Sequence, residues 1–213
     1  MYTKEITKIV LAGGPASGKS SVMKRLKQIS HKSDINLLFI DEVATVFLRN
    51  QPSFLHCEED KLSLQYYIMR TQQFAEQLLV QNADTSKPTV IISDRGCLDA
   101  YVYLNEEEQL LFAEEHLEQF RSRYDHIVYL KGDSDNYFSD KETHRLEEDI
   151  ETLYKTTERA FQVWSACESF TCIEQQETID RKVALVVRDI HDYLGREIFQ
   201  IDSCGRVTER RTR

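Results

Sequence analysis

"GGPASGKSS", residues 13–21, decides how this chain is read. Gly13, Gly18, Lys19 and Ser20 fit the spacing G-x-x-x-x-G-K-[ST], in which a glycine turn lets backbone N–H groups and a helix N-terminus face phosphate oxygens. The flanks supply the context this motif needs. An apolar, β-branched run, "ITKIVLA" (6–12), precedes the turn, and "VMKRLKQI" (22–29) follows it with Val22, Leu26 and Ile29 at helical spacing. Strand, turn and helix in that order predict a nucleotide-phosphate cradle made by Gly13, Gly14, Pro15, Ala16, Ser17, Gly18, Lys19, Ser20 and Ser21. Lys19 would set its charge against the β and γ phosphates, and Ser20 would offer its hydroxyl to Mg²⁺.

Outward from the loop, apolar runs alternate with helical patterns. Further strands are expected at 35–40, 87–93, 126–131 and 169–173. Helices are expected from Glu42 to about Arg49, from about Asp60 to Asn82, from after "DRG" to about Arg123 with a break near Asn105, from about His144 to Ala166, and from about Thr178 to Leu194. Residues around Pro52 and the polar stretch 132–143 read as connections. This alternation predicts an α/β fold, the three-layer αβα sandwich of a P-loop NTPase, with a mostly parallel five-stranded sheet in a kinase-like order over residues 1–195. Residues 196–213, ending in the basic "GRVTERRTR", are expected to form a tail, or a hairpin turning at "SCGR".

Bulk properties narrow the function. At 213 residues the chain has the length of one domain, and its 41% apolar and 30% charged residues are those of a globular protein. A net charge of -9 argues against a broad nucleic-acid-binding face. Five cysteines, Cys57, Cys97, Cys167, Cys172 and Cys204, contain no CxxC pair and leave an odd count, which suggests neither a disulfide framework nor a zinc site and fits a reducing, cytosolic compartment. No apolar run approaches the roughly 18 residues of a membrane span.

Two acidic strand ends compete for the chemistry. "NLLFIDE" (36–42) resembles the magnesium-holding strand of a motor ATPase, but that acid normally lies much farther from the loop than Asp41 lies from Lys19. The strand at 35–40 is expected to lie beside the first strand, with its terminal acid facing a phosphate acceptor. "IISDRG" (91–96) is the better metal strand, since Asp94 ends it at the carboxyl edge of the sheet where ligands bind. Asp94 is therefore assigned to Mg²⁺, through water, and Arg95 to a substrate hydroxyl or phosphate. Glu42, or else Asp41, becomes the candidate base for an acceptor hydroxyl. A helix N-terminal acid complementing the macrodipole is the plainer role for Glu42, and a structural ion pair or cap the plainer one for Asp94 and Arg95.

"KIVLAGGPASGKSS" (8–21), "DEVATVFL" (41–48), "SDRGCLDAYVYL" (93–104) and "HRLEE" (144–148) together resemble the P-loop kinase-like AAA domain shared by the ribosylnicotinamide-kinase part of NadR-type proteins and by TRPL-translocation-defect proteins. Deoxynucleoside kinases are more distantly similar. The resemblance implies a small-molecule kinase rather than a ring-forming motor. It implies a lid between the fourth strand and the next helix, carrying an arginine that reaches the transferring phosphate; Arg145 takes that place, with Lys141 and His144 nearby. Arg70 and Gln72 on the long helix and Asp99 after "DRG" are candidates to line the acceptor pocket. Tyr66, Tyr67 and Phe74 are candidates to stack on a base, a role they share with ordinary core packing, and the loop at 174–177 is, by analogy, a place to read the nucleotide base.

The expected function is Mg²⁺-dependent transfer of the γ-phosphate of ATP, or GTP, to the hydroxyl of a small, nucleoside-like acceptor. The alternative is a nucleotide-switched binding protein touching anionic lipid, since some relatives are associated with GTP and lipid. No N/T-K-x-D guanine-reading stretch is present, and "LKGD" (130–133) is not one.

Overall fold

A computed structural model describes residues 6–50, 61–84, 86–132 and 150–200. The elements run β1 (Ile6–Ala12), α1 (Lys19–Gln28), β2 (Asn36–Ile40), α2 (Val43–Asn50), α3 (Lys61–Asn82), β3 (Thr89–Asp94), α4 (Asp99–Val102), α5 (Glu106–Arg121), β4 (His126–Leu130), α6 (Ile150–Ser165), β5 (Phe170–Ile173) and α7 (Ile179–Leu194). The five strands form one sheet in the order β2-β3-β1-β4-β5, with every pair parallel. Pro52, Cys57, Lys141, His144, Arg145, Cys204 and the basic end all lie outside the described residues.

The strand order corrects one expectation. β2 does not lie beside β1; β3 stands between them, with Leu11 of β1 level with Asp94 of β3. The physical reason is visible in the strands themselves. Every residue of "TVIISD" in β3 is buried, which suits an interior strand covered on both faces and both edges, whereas β2 keeps three of its five residues partly exposed and takes the edge. Side chains then alternate across β1. Ile9 and Leu11 join the core beneath α1 and α7, while Val10 and Ala12 join the core with Met69 of α3, Val102 of α4 and Trp164 of α6.

Helix ends follow local chemistry. The expected break near Asn105 is a capping box, in which the Asn105 side chain accepts from the Glu108 N–H and the Glu108 carboxylate accepts from the Asn105 N–H. α7 starts at Thr178, whose hydroxyl accepts from the Arg181 N–H, and stops at Gly195 in the left-handed conformation.

Beyond α7 the chain turns back into the domain. Ile198 and Phe199 are fully buried, the Phe199 N–H donates to Nε2 of His191 at 3.0 Å, and the Gln200 N–H donates to the Ser30 carbonyl at 2.8 Å. The core therefore continues to Phe199, past the end of the expected domain at residue 195. On the opposite face, Glu76 of α3 is buried and holds four partners. Lys8 lies at 3.3 Å, Arg123 at 2.5 Å, the Tyr124 hydroxyl at 2.9 Å and the Gln72 amide at 3.1 Å. The Tyr124 hydroxyl also accepts from the Cys97 N–H at 2.6 Å, so a buried carboxylate that needs compensation also fixes the loop after β3.

No helix among the described residues is long and apolar enough to cross a membrane. Phe199→Ala should cost about 3–5 kcal/mol of stability in denaturant unfolding, the usual loss for a truncated core aromatic. A cost below about 1 kcal/mol, the level of an ordinary surface change, would place the segment outside the cooperative core.

Candidate functional site

β1 ends at Ala12 and the chain turns at once through Gly13, whose φ is +145°. A Cβ on Gly13 would overlap the Leu130 carbonyl oxygen at the end of β4, so the turn admits no side chain there. Gly18 occupies the left-handed N-cap position and α1 begins with Lys19. The Lys19 ammonium is buried among the loop's own oxygens. It donates to the carbonyls of Gly13 at 2.8 Å and Gly14 at 2.6 Å and to the Ser17 hydroxyl at 2.9 Å. Burial, together with the Arg95 guanidinium, pulls its pKa down to about 7 against the opposing pull of Asp94, Asp99 and Glu42.

The parallel register sets Asp94 beside this loop. The Ser20 hydroxyl bonds the Asp94 carboxyl, and burial pushes the Asp94 pKa upward. The Asp94 Oδ1 is buried with no hydrogen-bond partner among the described residues. A carboxylate oxygen without a partner, next to a hydroxyl at the head of the loop helix, fits Mg²⁺, which takes one or two protein ligands and completes its shell with phosphates and water. Among the described residues no three His, Cys, Asp or Glu side chains cluster as a cage for any other metal. A cleft of about 340 Å³ opens here, lined by Ser20, Lys24 and Lys27 of α1 and by Asp41 and Asp94.

Successive acids after β2 go opposite ways. Asp41 is exposed and pairs with Lys27 on α1. Glu42 faces Arg95, whose Nε donates to Glu42 Oε1 at 2.5 Å and whose Nη1 donates to Asp99 Oδ1 at 2.9 Å. Asp99 uses its second oxygen to accept from the Gly96 N–H at 2.9 Å. Arg95 itself has a φ of +70°, costly for a residue with a side chain, and its guanidinium lies 5.9 Å from the centre of the Tyr103 ring. Burial would raise the Glu42 pKa, but Arg95 and the Thr45 hydroxyl outweigh it and hold the carboxyl at about 2. Glu42 is thus ionised, and a fixed guanidinium and a carboxylate stand together beside Lys19 and Asp94.

Other expected residues lie elsewhere. The Gln72 amide donates to Glu76, and Arg70 is exposed and reaches Gln73 at 3.4 Å. Tyr66 packs against the core, whereas Tyr67 and Phe74 are exposed. Glu174 pairs with Lys131 at 2.7 Å.

Two contacts with the loop were not anticipated. The Tyr129 hydroxyl bonds the Gly14 backbone and donates to the Thr157 carbonyl of α6 at 3.2 Å, so α6 leans on the loop. Lys182 of α7 donates to the Ser17 carbonyl at 3.1 Å, and burial lowers its pKa. The signal for Lys182 is its position, since it belongs to the inward stripe with Val183, Val186 and Ile190, where a lysine needs a reason.

The Lys19 environment gives a pH dependence. Phosphate binding favours the charged ammonium, whereas above its lowered pKa the free protein increasingly carries the neutral amine. Nucleotide binding should therefore take up a proton, and affinity should fall by up to roughly tenfold per pH unit above about pH 7. Calorimetry in buffers of differing ionisation enthalpy would detect the proton; affinity that stays flat to about pH 9 would mean Lys19 is charged throughout.

Comparisons with known proteins bear on the fold and the family. Deoxyadenosine kinase from M. mycoides superposes with a TM-score of 0.60 at 15% identity, over 87% of this chain and 100% of that one. The NadR protein in complex with NR superposes at 0.60 with 17% identity over 93% of this chain and 54% of its own, and NadR with NAD and AMP-PNP at 0.60 with 16% identity over 93% and 52%. The chain thus spans about half the length of the NadR chains. No curated protein sequence matches it. These likenesses establish the fold, and a family model described as an AAA domain matches residues 8–182. The chain belongs to that AAA-domain family.

Proposed function

We propose that this protein transfers the γ-phosphoryl group of ATP or GTP to a hydroxyl of a small, nucleoside-like acceptor. The observation that carries the reading is the cluster of Glu42, Arg95 and Asp99 beside Lys19 and Asp94. A carboxylate and a guanidinium held together there could accept the proton of an acceptor hydroxyl and hold the acceptor against the phosphates, as transfer to a small molecule requires. The similar folds of a deoxyadenosine kinase and of the NadR protein in complex with NR support a nucleoside-like acceptor.

The acceptor hydroxyl would lie against Glu42 and Arg95. Its oxygen forms a bond to the γ-phosphorus as the bond from that phosphorus to the β-phosphate oxygen breaks, and its proton passes to a Glu42 oxygen. A carboxylate with a pKa of about 2 is a weak base, which suffices where the proton leaves late in a loose transition state. Lys19 neutralises the β and γ oxygens, and Arg145, outside the described residues, is proposed to add charge from the lid. Mg²⁺, held through Ser20 and Asp94, would supply further neutralisation of the phosphate oxygens. Most of the acceleration would come from positioning and fixed charge.

Lys19→Ala should abolish nucleotide binding and turnover. Glu42→Gln should leave nucleotide affinity within about threefold while lowering transfer by about 10² to 10⁴, the range for loss of a general base. The measurement pairs equilibrium nucleotide binding with release of the nucleoside diphosphate in the presence of pooled nucleosides, including nicotinamide riboside. Unchanged turnover in Glu42→Gln would remove the base role. Nucleotide binding that needs Lys19, with no acceptor-dependent turnover in the wild type, would favour the nucleotide-switched binding protein.

A further inference from the structure

Gly18 stands at φ +82°, and a side chain there would meet only Cδ1 of Ile179, at 3.8 Å. Space does not require the glycine; the backbone conformation does. That conformation ends the loop and starts α1, whose Val22 N–H donates to the Gly18 carbonyl at 2.9 Å. The Gly18 N–H donates to no group among the described residues. It is one of the free donors at the head of the helix, and its value to a phosphate depends on where it points.

Across a trans peptide, the carbonyl of one residue and the N–H of the next point in opposite directions. Whatever holds the Ser17 carbonyl therefore sets the direction of the Gly18 N–H. Lys182 of α7 holds it, at 3.1 Å. The buried ammonium spends its other two protons on the Lys131 carbonyl at 2.9 Å and on Oε1 of Gln175 at 2.5 Å, and no carboxylate pairs with it among the described residues. Its charge thus falls on three oxygen dipoles. A hydrogen bond from a cation polarises the amide that accepts it, which makes the N–H at the far end of the Ser17–Gly18 peptide a stronger donor. Ser17 is also held from the end of β4, where a Cβ added to Gly132 would stand 3.1 Å from the Ser17 nitrogen.

We propose that Lys182 is a positioning residue for the nucleotide, which by holding the Ser17 carbonyl toward α7 turns and polarises the Gly18 N–H toward the phosphates. The proposal rests on the nucleotide-binding part of the function above, but not on transfer to an acceptor. Lys182 touches no phosphate and acts through one backbone amide. Without its ammonium the peptide is free to rotate about a glycine that tolerates many conformations, and a carbonyl oxygen facing a phosphate repels it.

The test reads that amide directly. Ser is followed by Gly only at residues 17 and 18, so full chain labelled with carbonyl-¹³C serine and ¹⁵N glycine gives a single carbonyl-filtered amide resonance, that of Gly18. Adding ATP or GTP with Mg²⁺ to the wild type should move its proton downfield, as a new hydrogen bond to phosphate does. Lys182→Met should bind the same nucleotide about tenfold more weakly, the loss of one directed hydrogen bond, and its Gly18 proton should lie upfield of the wild type before any nucleotide is added. Lys182→Arg, which keeps a charged donor, should recover most of both. Thermal melting of the free proteins reports folding; should Lys182→Met fail to fold, the neutral Lys182→Gln takes its place with the same two changes expected. A wild-type Gly18 proton that nucleotide leaves unmoved, or a neutral variant with wild-type affinity, would overturn the proposal. Weakened binding with the Gly18 resonance unchanged would also overturn it, because Lys182 would then be a structural lysine. Wild-type protein that binds neither nucleotide would overturn this role together with the phosphotransferase reading. The expected changes without any phosphate transfer would leave the role of Lys182 standing and retire the transferase alone.

Discussion

Burial of Lys19 beside Arg95 is the constraint around which the rest of the structure is arranged. Two cations in one dry place repel each other, and Asp94, Glu42 and Asp99 are the carboxylates that make the arrangement tolerable. Each arrives from a different element, Asp94 from the end of β3, Glu42 from the turn after β2 and Asp99 from the start of α4. The parallel sheet brings these ends to one edge. Three carboxylates against two cations leave an excess of negative charge that a divalent cation and the loop amides would offset as phosphates enter, so the site is poised for a ligand rather than balanced without one.

The scaffold holds this edge rigid from beneath. Glu76 and Tyr124 pin the backbone at Cys97, two residues beyond Arg95, which helps keep Arg95 in a backbone conformation it would not choose alone. Tyr129 and Thr157 brace the loop from α6, and Lys182 braces it from α7. Substitutions in these supports would therefore act on chemistry through position, without touching a phosphate.

Much of this was legible in the sequence because it depends on local chemistry. The glycine spacing of the loop, the apolar runs of the strands, the acid ending β3 and the break near Asn105 each announce themselves within a few residues. Strand order did not, because a run such as "NLLFI" looks alike at an edge and in the interior until the burial of "TVIISD" beside it is known. Gln72 looked available for substrate because its partner Glu76 lies one turn farther along the same helix, a spacing equally suited to a solvated pair. Lys182 and the buried Phe199 depend on contacts across more than a hundred residues, with Ser17 and with the stretch around His31; the apolar stripe of α7 marks Lys182 as out of place, but no local pattern names these partners.

The claim that the edge built by Asp94, Arg95 and Glu42 passes phosphate to a small hydroxyl is tested most directly by mass spectrometry of the acceptors. The protein would be incubated with Mg²⁺, ATP or GTP and a panel of nucleosides. The account predicts a single nucleoside gaining one phosphate as a monoester, in step with loss of the γ-phosphate from the donor. Donor breakdown that yields only inorganic phosphate, with every nucleoside unchanged, would contradict it.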